Sequence, residues 1–98
     1  MKIGKVIKGL RKRKGYNQTE FAAMCDITQT SLSLIETDVK RPSPTTLKQI
    51  CKALEVPEMY LYILSAEEND VPKQKRYLYK VLFPTIESMV KQLWLEKT

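Results

Sequence analysis

The sequence contains no histidine and only two cysteines, and this scarcity excludes several kinds of site. A structural zinc ion needs about four nitrogen or sulfur ligands, which Cys25 and Cys51 alone cannot supply. Histidine is also the commonest general base, and the chain has no glycine-rich loop for binding phosphate. We therefore expect no metal, no cofactor, no catalytic residues and no enzyme, and we expect both cysteines to be small buried hydrophobic residues.

Long apolar runs are missing as well. No stretch of the chain approaches the ~18 apolar residues of a membrane-spanning helix, and the first residues lack the apolar stretch of a signal peptide. A cytoplasmic protein without a membrane partner is therefore expected. With 98 residues, 43% of them hydrophobic, the chain has room for one compact domain and a short appendage.

What the chain does have is positive charge, concentrated at its start. It contains 17 lysines and arginines against 11 acidic residues, and residues 1–14 include seven cations and no anion. Such a surface favours a polyanionic partner, namely DNA, RNA or an anionic membrane, although a solvated face without any partner has the same composition. The membrane is disfavoured because this segment lacks Trp and Phe, and its apolar stripe is needed for a core.

Helical spacing of apolar residues recurs along the chain, without the alternation of β-strands. A first helix should end near Gly15. A second should run from about Gln18 to Met24, with Asn17 and Glu20 forming a capping box, and a third from about Gln29 to Glu36 after the N-cap Thr28. Ser43 and Pro44 begin a fourth helix, and Pro57 begins a short fifth one. Two short helices joined by so few residues favour a helix-turn-helix arrangement.

The last third of the chain is harder to place. Residues 65–70 are predicted to be a linker, followed by a sixth helix around Tyr77–Leu82 and a seventh around Ile86–Leu93. Pro84 should break or kink the chain between them. Ile86, Met89 and Leu93 have the spacing of a heptad seam, which Tyr79 and Leu82 extend backwards.

From Ile7 to Leu64 the sequence resembles the Cro/repressor-type (XRE) helix-turn-helix family of phage repressors and bacterial regulators. The resemblance is carried by LRKRKGYNQTEFAAMCDITQTSLSLIE and KRPSPTTLKQICKALEVP. It implies an all-α fold, with a five-helix lambda-repressor-like DNA-binding domain over residues 1–66 and a helical tail over 67–98. The family commonly has glycine in the two left-handed turns where this chain has Asp26 and Asp38, which are tolerable substitutes. Asp38 also brings an anion towards the expected DNA backbone.

The face of the third helix opposite Leu32 and Ile35 is expected to contact bases through Gln29, Thr30, Ser33 and Leu34. The carboxamide of Gln29 can pair with both N7 and the N6 amine of adenine. Leu34 is expected either to pack on a thymine methyl group or to cover the edge of the core.

DNA phosphates are the expected partners of Gln18, Lys40 and Arg41. Gln18 begins the second helix, where a phosphate is favoured. The resemblance further implies an ion pair between Arg11 and Glu36, with Arg11 as an additional phosphate contact.

These features together predict a regulator that binds specific sequences of double-stranded DNA. The expected form is a repressor that binds a near-palindromic operator as a homodimer through the tail. The tail has two alternatives, namely folding back on the first five helices or receiving a protein partner. The latter would suit an antitoxin-type module that also represses its own operon.

Overall fold

A computed structural model describes residues 1–94 of the chain, so the end of the predicted tail, residues 95–98, lies outside the described residues. These 94 residues are helical and contain no strand, which confirms the all-α prediction. The helices are α1 (Ile3–Arg13), α2 (Gln18–Met24), α3 (Gln29–Glu36), α4 (Pro44–Leu54), α5 (Glu58–Ser65) and α6 (Arg76–Trp94), with short 3₁₀ turns at Glu68–Asp70 and Lys73–Lys75. No helix among them is long and apolar enough to cross a membrane.

Local capping explains where the early helices begin. The side chain of Asn17 accepts a hydrogen bond from the Glu20 amide, and the Glu20 carboxylate accepts one from the Asn17 amide, which completes the predicted capping box. Thr28 accepts from the Ser31 amide in the same way at the start of α3. These bonds satisfy N–H groups that a helix leaves unpaired, so both helices start at the predicted residues.

The backbone contacts divide the chain into two units, of which the first comprises Lys2–Ser65. In this unit α1 packs against α3, α4 and α5, while α2 packs against α3 and α4. Each of the five helices contributes apolar side chains to one core: Ile7, Leu10, Phe21, Ala22, Cys25, Leu32, Ile35, Leu47, Ile50, Cys51, Leu54, Tyr60 and Leu61. Burial raises the pKa of Cys25 and of Cys51 to about 11, so both thiols are protonated at neutral pH.

Within residues 1–94, three residues other than glycine adopt left-handed backbone conformations, all of them at helix ends. Asp26 (φ 56°) and Asp38 (φ 61°) occupy the two turns at which the family resemblance implies such a conformation. The third, Glu55 (φ 59°), ends α4 and was not predicted, because nothing in the residue type indicates it. There the Val56 amide donates to the Cys51 carbonyl, which closes the helix.

The second unit comprises Met1 and the chain from Ala66 onward, and its main element is the single helix α6. The prediction of two helices separated at Pro84 was wrong, because Pro84 lies inside α6. A proline within a helix removes one backbone donor and leaves the carbonyl four residues earlier without its partner. Both Pro84 and Lys80 are exposed residues, and the helix continues through the proline.

The apolar residues exposed on α6 also differ from those of the predicted heptad seam. Tyr79 is half-buried, its ring stacks on Phe83 at 4.7 Å between centroids, and its hydroxyl donates to the Ala66 carbonyl at 3.1 Å. The exposed stripe therefore begins at Leu78 instead of Tyr79. It consists of Leu78, Leu82, Ile86, Met89 and Leu93, spaced by three or four residues.

Candidate DNA-binding surface

The turn between α2 and α3 fixes the angle between these two short helices. At its left-handed residue, Asp26, the chain reverses, and the Ile27 amide donates to the Ala22 carbonyl at 3.0 Å. Leu32 and Ile35 of α3 are then fully buried, which commits one side of the helix to the core. The opposite side of α3 consequently faces away from the core.

Four predicted base-contacting residues lie together on that outer side. Gln29, Thr30, Ser33 and Leu34 line one open depression, and Gln18 at the start of α2 completes its wall. Leu34 is 39% exposed, which fits both of the roles expected for it. The arrangement offers hydroxyl and carboxamide groups beside one apolar side chain, the combination with which a helix can contact base edges.

Behind this depression lies a buried ion pair between α1 and α3. The Arg11 guanidinium donates from Nε to Glu36 Oε2 at 2.7 Å and from Nη2 to Glu36 Oε1 at 3.0 Å. A third donor, Nη1, reaches the Tyr16 carbonyl at 2.8 Å. The two side chains are only 7% and 1% exposed, so a phosphate contact from Arg11 would have to use its two remaining N–H groups.

A chain of hydrogen bonds connects the ion pair with the outer face of α3. Gln18 Nε2 donates to Glu36 Oε1 at 3.1 Å, and Gln29 Nε2 lies 3.5 Å from Gln18 Oε1. A carboxylate only accepts hydrogen bonds, so Glu36 requires the amino group of Gln18 on its side and leaves the Gln18 oxygen for Gln29. The ion pair therefore determines which way the Gln18 carboxamide is turned.

Thr19 contributes to the same network, although its sequence position did not mark it as functional. Its hydroxyl lies 3.3 Å from Gln29 Oε1 and donates to it, while the Gln29 amino group faces Gln18. The carboxamide of Gln29 thus keeps one N–H and one oxygen lone pair for a further partner. Only the packing of α2 against α3 brings Thr19 and Gln29 together, so no local sequence pattern could have indicated it.

The basic loop after α3, residues 37–43, begins close to the same face. The amides of Val39 and Lys40 both donate to the Leu34 carbonyl, at 3.0 and 3.1 Å. Lys40 and Arg41 are exposed, and Lys40 Nζ lies 3.4 Å from the Ser31 hydroxyl. The loop therefore carries two exposed cations shortly after α3, and Lys40 reaches the side of that helix.

The Asp38 carboxylate bonds to the start of α1. Its Oδ1 accepts a hydrogen bond from the Gly4 amide at 2.8 Å. The partial positive charge of that helix end offsets the negative charge of the carboxylate. The sequence placed Asp38 near the DNA backbone but could not show which group its side chain contacts.

Helix α1 carries further positive charge. In the described part of the chain, no cluster of residues could hold a metal ion. The exposed cations of α1 include Lys5, Lys8 and Lys12, while Lys14 pairs with Glu55 at 3.3 Å. The first unit therefore combines an exposed polar helix face, a basic loop and a cationic helix, which defines a helix-turn-helix protein of the DNA-binding type.

Comparison with known families supports this class. A helix-turn-helix family model matches residues 7–61, more than half of the chain, and the protein therefore belongs to the helix-turn-helix family, of the Cro/XRE type that its sequence resembles. Membership makes it a DNA-binding regulator. No curated protein and no solved structure shows a significant match to the chain.

Proposed function

We propose that the protein is a cytoplasmic transcriptional repressor that binds a near-palindromic operator as a homodimer. The observation that carries the proposal is the outer face of α3, where four side chains line one depression beside two exposed cations of the basic loop. A helix of this kind fits the major groove with its first residues against base edges, while flanking cations contact the phosphates.

Gln29 is the residue to which we assign the main base contact. The free N–H of its amino group would donate to adenine N7, and the free lone pair of its oxygen would accept from the N6 amine. The contacts with Thr19 and Gln18 restrain the carboxamide and support this assignment. Such a bidentate pair discriminates against a wrong base by about 1–3 kcal/mol.

The other three residues of the α3 face complete the base contacts. Thr30 and Ser33 supply hydroxyl groups that pair with any base edge, so they contribute less discrimination. Leu34, which is exposed and lines the depression, would pack on a thymine methyl group. An adenine and a thymine are therefore expected within each operator half-site.

The phosphate contacts are assigned to residues on both sides of this face. Gln18 lies at the α2 side, and Lys40 with Arg41 lies at the loop side. Arg11 would contribute mainly through its buried ion pair and only secondarily through the N–H groups left over from it. These contacts fix the position of α3 in the groove without selecting a sequence.

We assign the homodimer contact to α6, within the tail of residues 67–98. The exposed stripe from Leu78 to Leu93 covers about 22 Å of helix at 1.5 Å per residue, and its side chains are 39–72% exposed. Monomeric proteins rarely expose an apolar patch larger than a few hundred Å², whereas a standard interface buries about 800 Å² per partner.

The charges of α6 support a second copy as the occupant of this stripe. All four charged residues of the helix fall within an arc of about 60° at 3.6 residues per turn, on the side away from the stripe: Arg76, Lys80, Glu87 and Lys91. Two copies can therefore bring their stripes together without placing like charges opposite each other. A two-fold pair would place its two α3 helices, the proposed recognition helices, about 34 Å apart.

Specific duplex binding should depend strongly on salt. Each phosphate neutralised by a cation changes the slope of log K against log salt by about −0.9, so several contacts per half-site produce a steep fall in affinity. Selection of bound duplexes from random DNA followed by titration at several salt concentrations measures both sequence and slope. Affinity that is indifferent to salt, or equal for selected and scrambled duplexes at physiological salt, would contradict the proposal.

Replacing Gln29 and Arg41 by alanine should have different consequences. Gln29→Ala should relax the preference at one or two operator positions, because it removes a base contact. Arg41→Ala should weaken all sequences by similar factors, because it removes a backbone contact. Both variants are titrated against operators that carry single base changes, and a uniform loss for Gln29→Ala would refute its assignment.

Met89→Lys should convert the dimer into a monomer and weaken operator binding. The substitution places a charge in the middle of the apolar stripe, where dimerisation would bury it without a partner. Ser88→Lys is the matched control, since it adds the same charge at the neighbouring exposed position, off the stripe. Sedimentation at matched concentrations measures the association.

A monomeric wild-type protein at concentrations well above its operator affinity would overturn the dimer assignment. The tail would then either fold back on the first five helices or receive a different protein, and the second case is the one that the antitoxin hypothesis requires. Equal association of the Met89→Lys and wild-type proteins would instead place the dimer contact elsewhere in the chain.

A further inference from the structure

The segment that follows α3, the proposed recognition helix, is restrained by hydrogen bonds to two helices. Thr37 ends α3, and Asp38 then reverses the chain in a left-handed conformation with φ 61°. The amides that follow, of Val39 and Lys40, donate to the Leu34 carbonyl on the same helix. On the other side, the Asp38 carboxylate bonds to the Gly4 amide of α1, 34 residues away in the sequence.

The start of α1 has no local group that caps its free backbone amides. The side chain of its N-cap residue, Lys2, forms no capping hydrogen bond among the described residues, and its first turn carries no acidic side chain. Gly4 occupies the second helical position, whose amide an N-cap side chain normally satisfies. Asp38 therefore caps α1 from a distant loop.

The two segments also touch directly at this point. A Cβ atom on Gly4 would lie 1.9 Å from the Ile35 carbonyl oxygen and 2.9 Å from Asp38 Oδ1. The start of α1 thus lies against the last turn of α3, with no room for a side chain between them. The hydrogen bond between Asp38 and Gly4 therefore restrains both the position and the conformation of the basic loop.

We infer that Asp38 is a positioning residue that holds Lys40 and Arg41 against the operator phosphates, an inference that rests on the proposed DNA-binding function. A glycine at this position would adopt the left-handed turn more easily but would leave the loop attached only to α3. The carboxylate adds the attachment to α1, and the helix end offsets its charge. Asp38 thereby supports phosphate binding without contacting DNA.

The test compares three single variants in the full-length chain. Asp38→Gly keeps the left-handed turn and removes the carboxylate, whereas Asp38→Asn keeps an oxygen that can accept from Gly4. Asp26→Gly is the matched control, because Asp26 has the same backbone conformation and is exposed in the other turn. Operator affinity is measured at several salt concentrations, at a temperature where each variant is shown to be folded by circular dichroism.

Asp38→Gly should weaken binding by roughly five- to tenfold at 0.1 M salt and make the salt slope less steep by about 0.9, as expected for one lost phosphate contact. Asp38→Asn should retain most of the affinity, and Asp26→Gly should keep the wild-type slope. A role in stability alone would not change the slope of a folded protein.

A double-mutant cycle with Arg41→Ala tests the coupling directly. Arg41→Ala should cost clearly less in the Asp38→Gly background than in the wild type, because the loop is already displaced. Equal costs in both backgrounds, or a wild-type slope for folded Asp38→Gly, would overturn the inference while leaving DNA binding intact. If the wild-type protein showed no preference for any duplex, the proposed function itself would fail, and the inference with it.

Discussion

Replacing Glu36 by alanine is expected to lower the free energy of unfolding by about 3–5 kcal/mol, because it leaves the Arg11 charge buried without its partner. The guanidinium would lose two hydrogen bonds while its surroundings stay closed to water. A domain of this size is stable by about 5–15 kcal/mol, so a large part of its stability is at stake. Urea denaturation followed by circular dichroism measures the change.

Two controls separate the buried charge from the loss of any ion pair. Lys14→Ala breaks the exposed pair with Glu55 and should cost less than about 1 kcal/mol. The double variant Arg11→Met with Glu36→Met removes both buried charges and should recover most of the lost stability, since apolar pairs often replace buried ion pairs without cost. A Glu36→Ala protein as stable as Lys14→Ala would mean that Arg11 reaches water in solution.

Gly4→Ala is expected to destabilise the protein by about 1–3 kcal/mol or more, because its methyl group would overlap the Ile35 carbonyl oxygen at 1.9 Å. The obstacle is backbone at the end of the recognition helix and not the flexible end of a side chain. Either α1 or α3 must therefore move, and the Asp38 hydrogen bond to the Gly4 amide would be disturbed as well. Thermal and urea denaturation both measure the loss.

Gly9→Ala provides the matched control on the same helix. A Cβ atom on Gly9 meets nothing within 4 Å, so the substitution should raise stability by roughly 0.5–1 kcal/mol through better helix propensity. Opposite signs for the two glycines are the expected result. Stabilisation by Gly4→Ala would show that α1 does not approach the end of α3 in solution as closely as the structure indicates.

Sequence patterns predicted α2 and α3 to the residue because their boundaries depend on neighbours. Asn17, Glu20 and Thr28 lie within three residues of the amides that they cap, and such short-range bonds depend on local spacing that the sequence shows directly. The α3 face followed from the same logic, because burying Leu32 and Ile35 leaves Gln29 and Ser33 on the other side. The candidate base-contacting residues could therefore be predicted from the sequence without the tertiary structure.

Local rules failed at two places in α6. Pro84 was expected to separate two helices, but it is an exposed residue inside one continuous helix. Tyr79 was assigned to the exposed seam, yet its hydroxyl bonds to Ala66 and its ring stacks on Phe83. The heptad pattern gave no indication of either partner.

By itself, the sequence determined the helix-turn-helix class, the face of α3 and the cationic character of the first unit, because spacing, capping and charge act over a few residues. Only the tertiary structure decided how the Gln18 carboxamide is turned and what the Asp38 carboxylate contacts. Glu36 lies 18 residues from Gln18, and Gly4 lies 34 residues from Asp38. The direction of a hydrogen bond depends on where its partner lies, and helix packing alone brings these partners together.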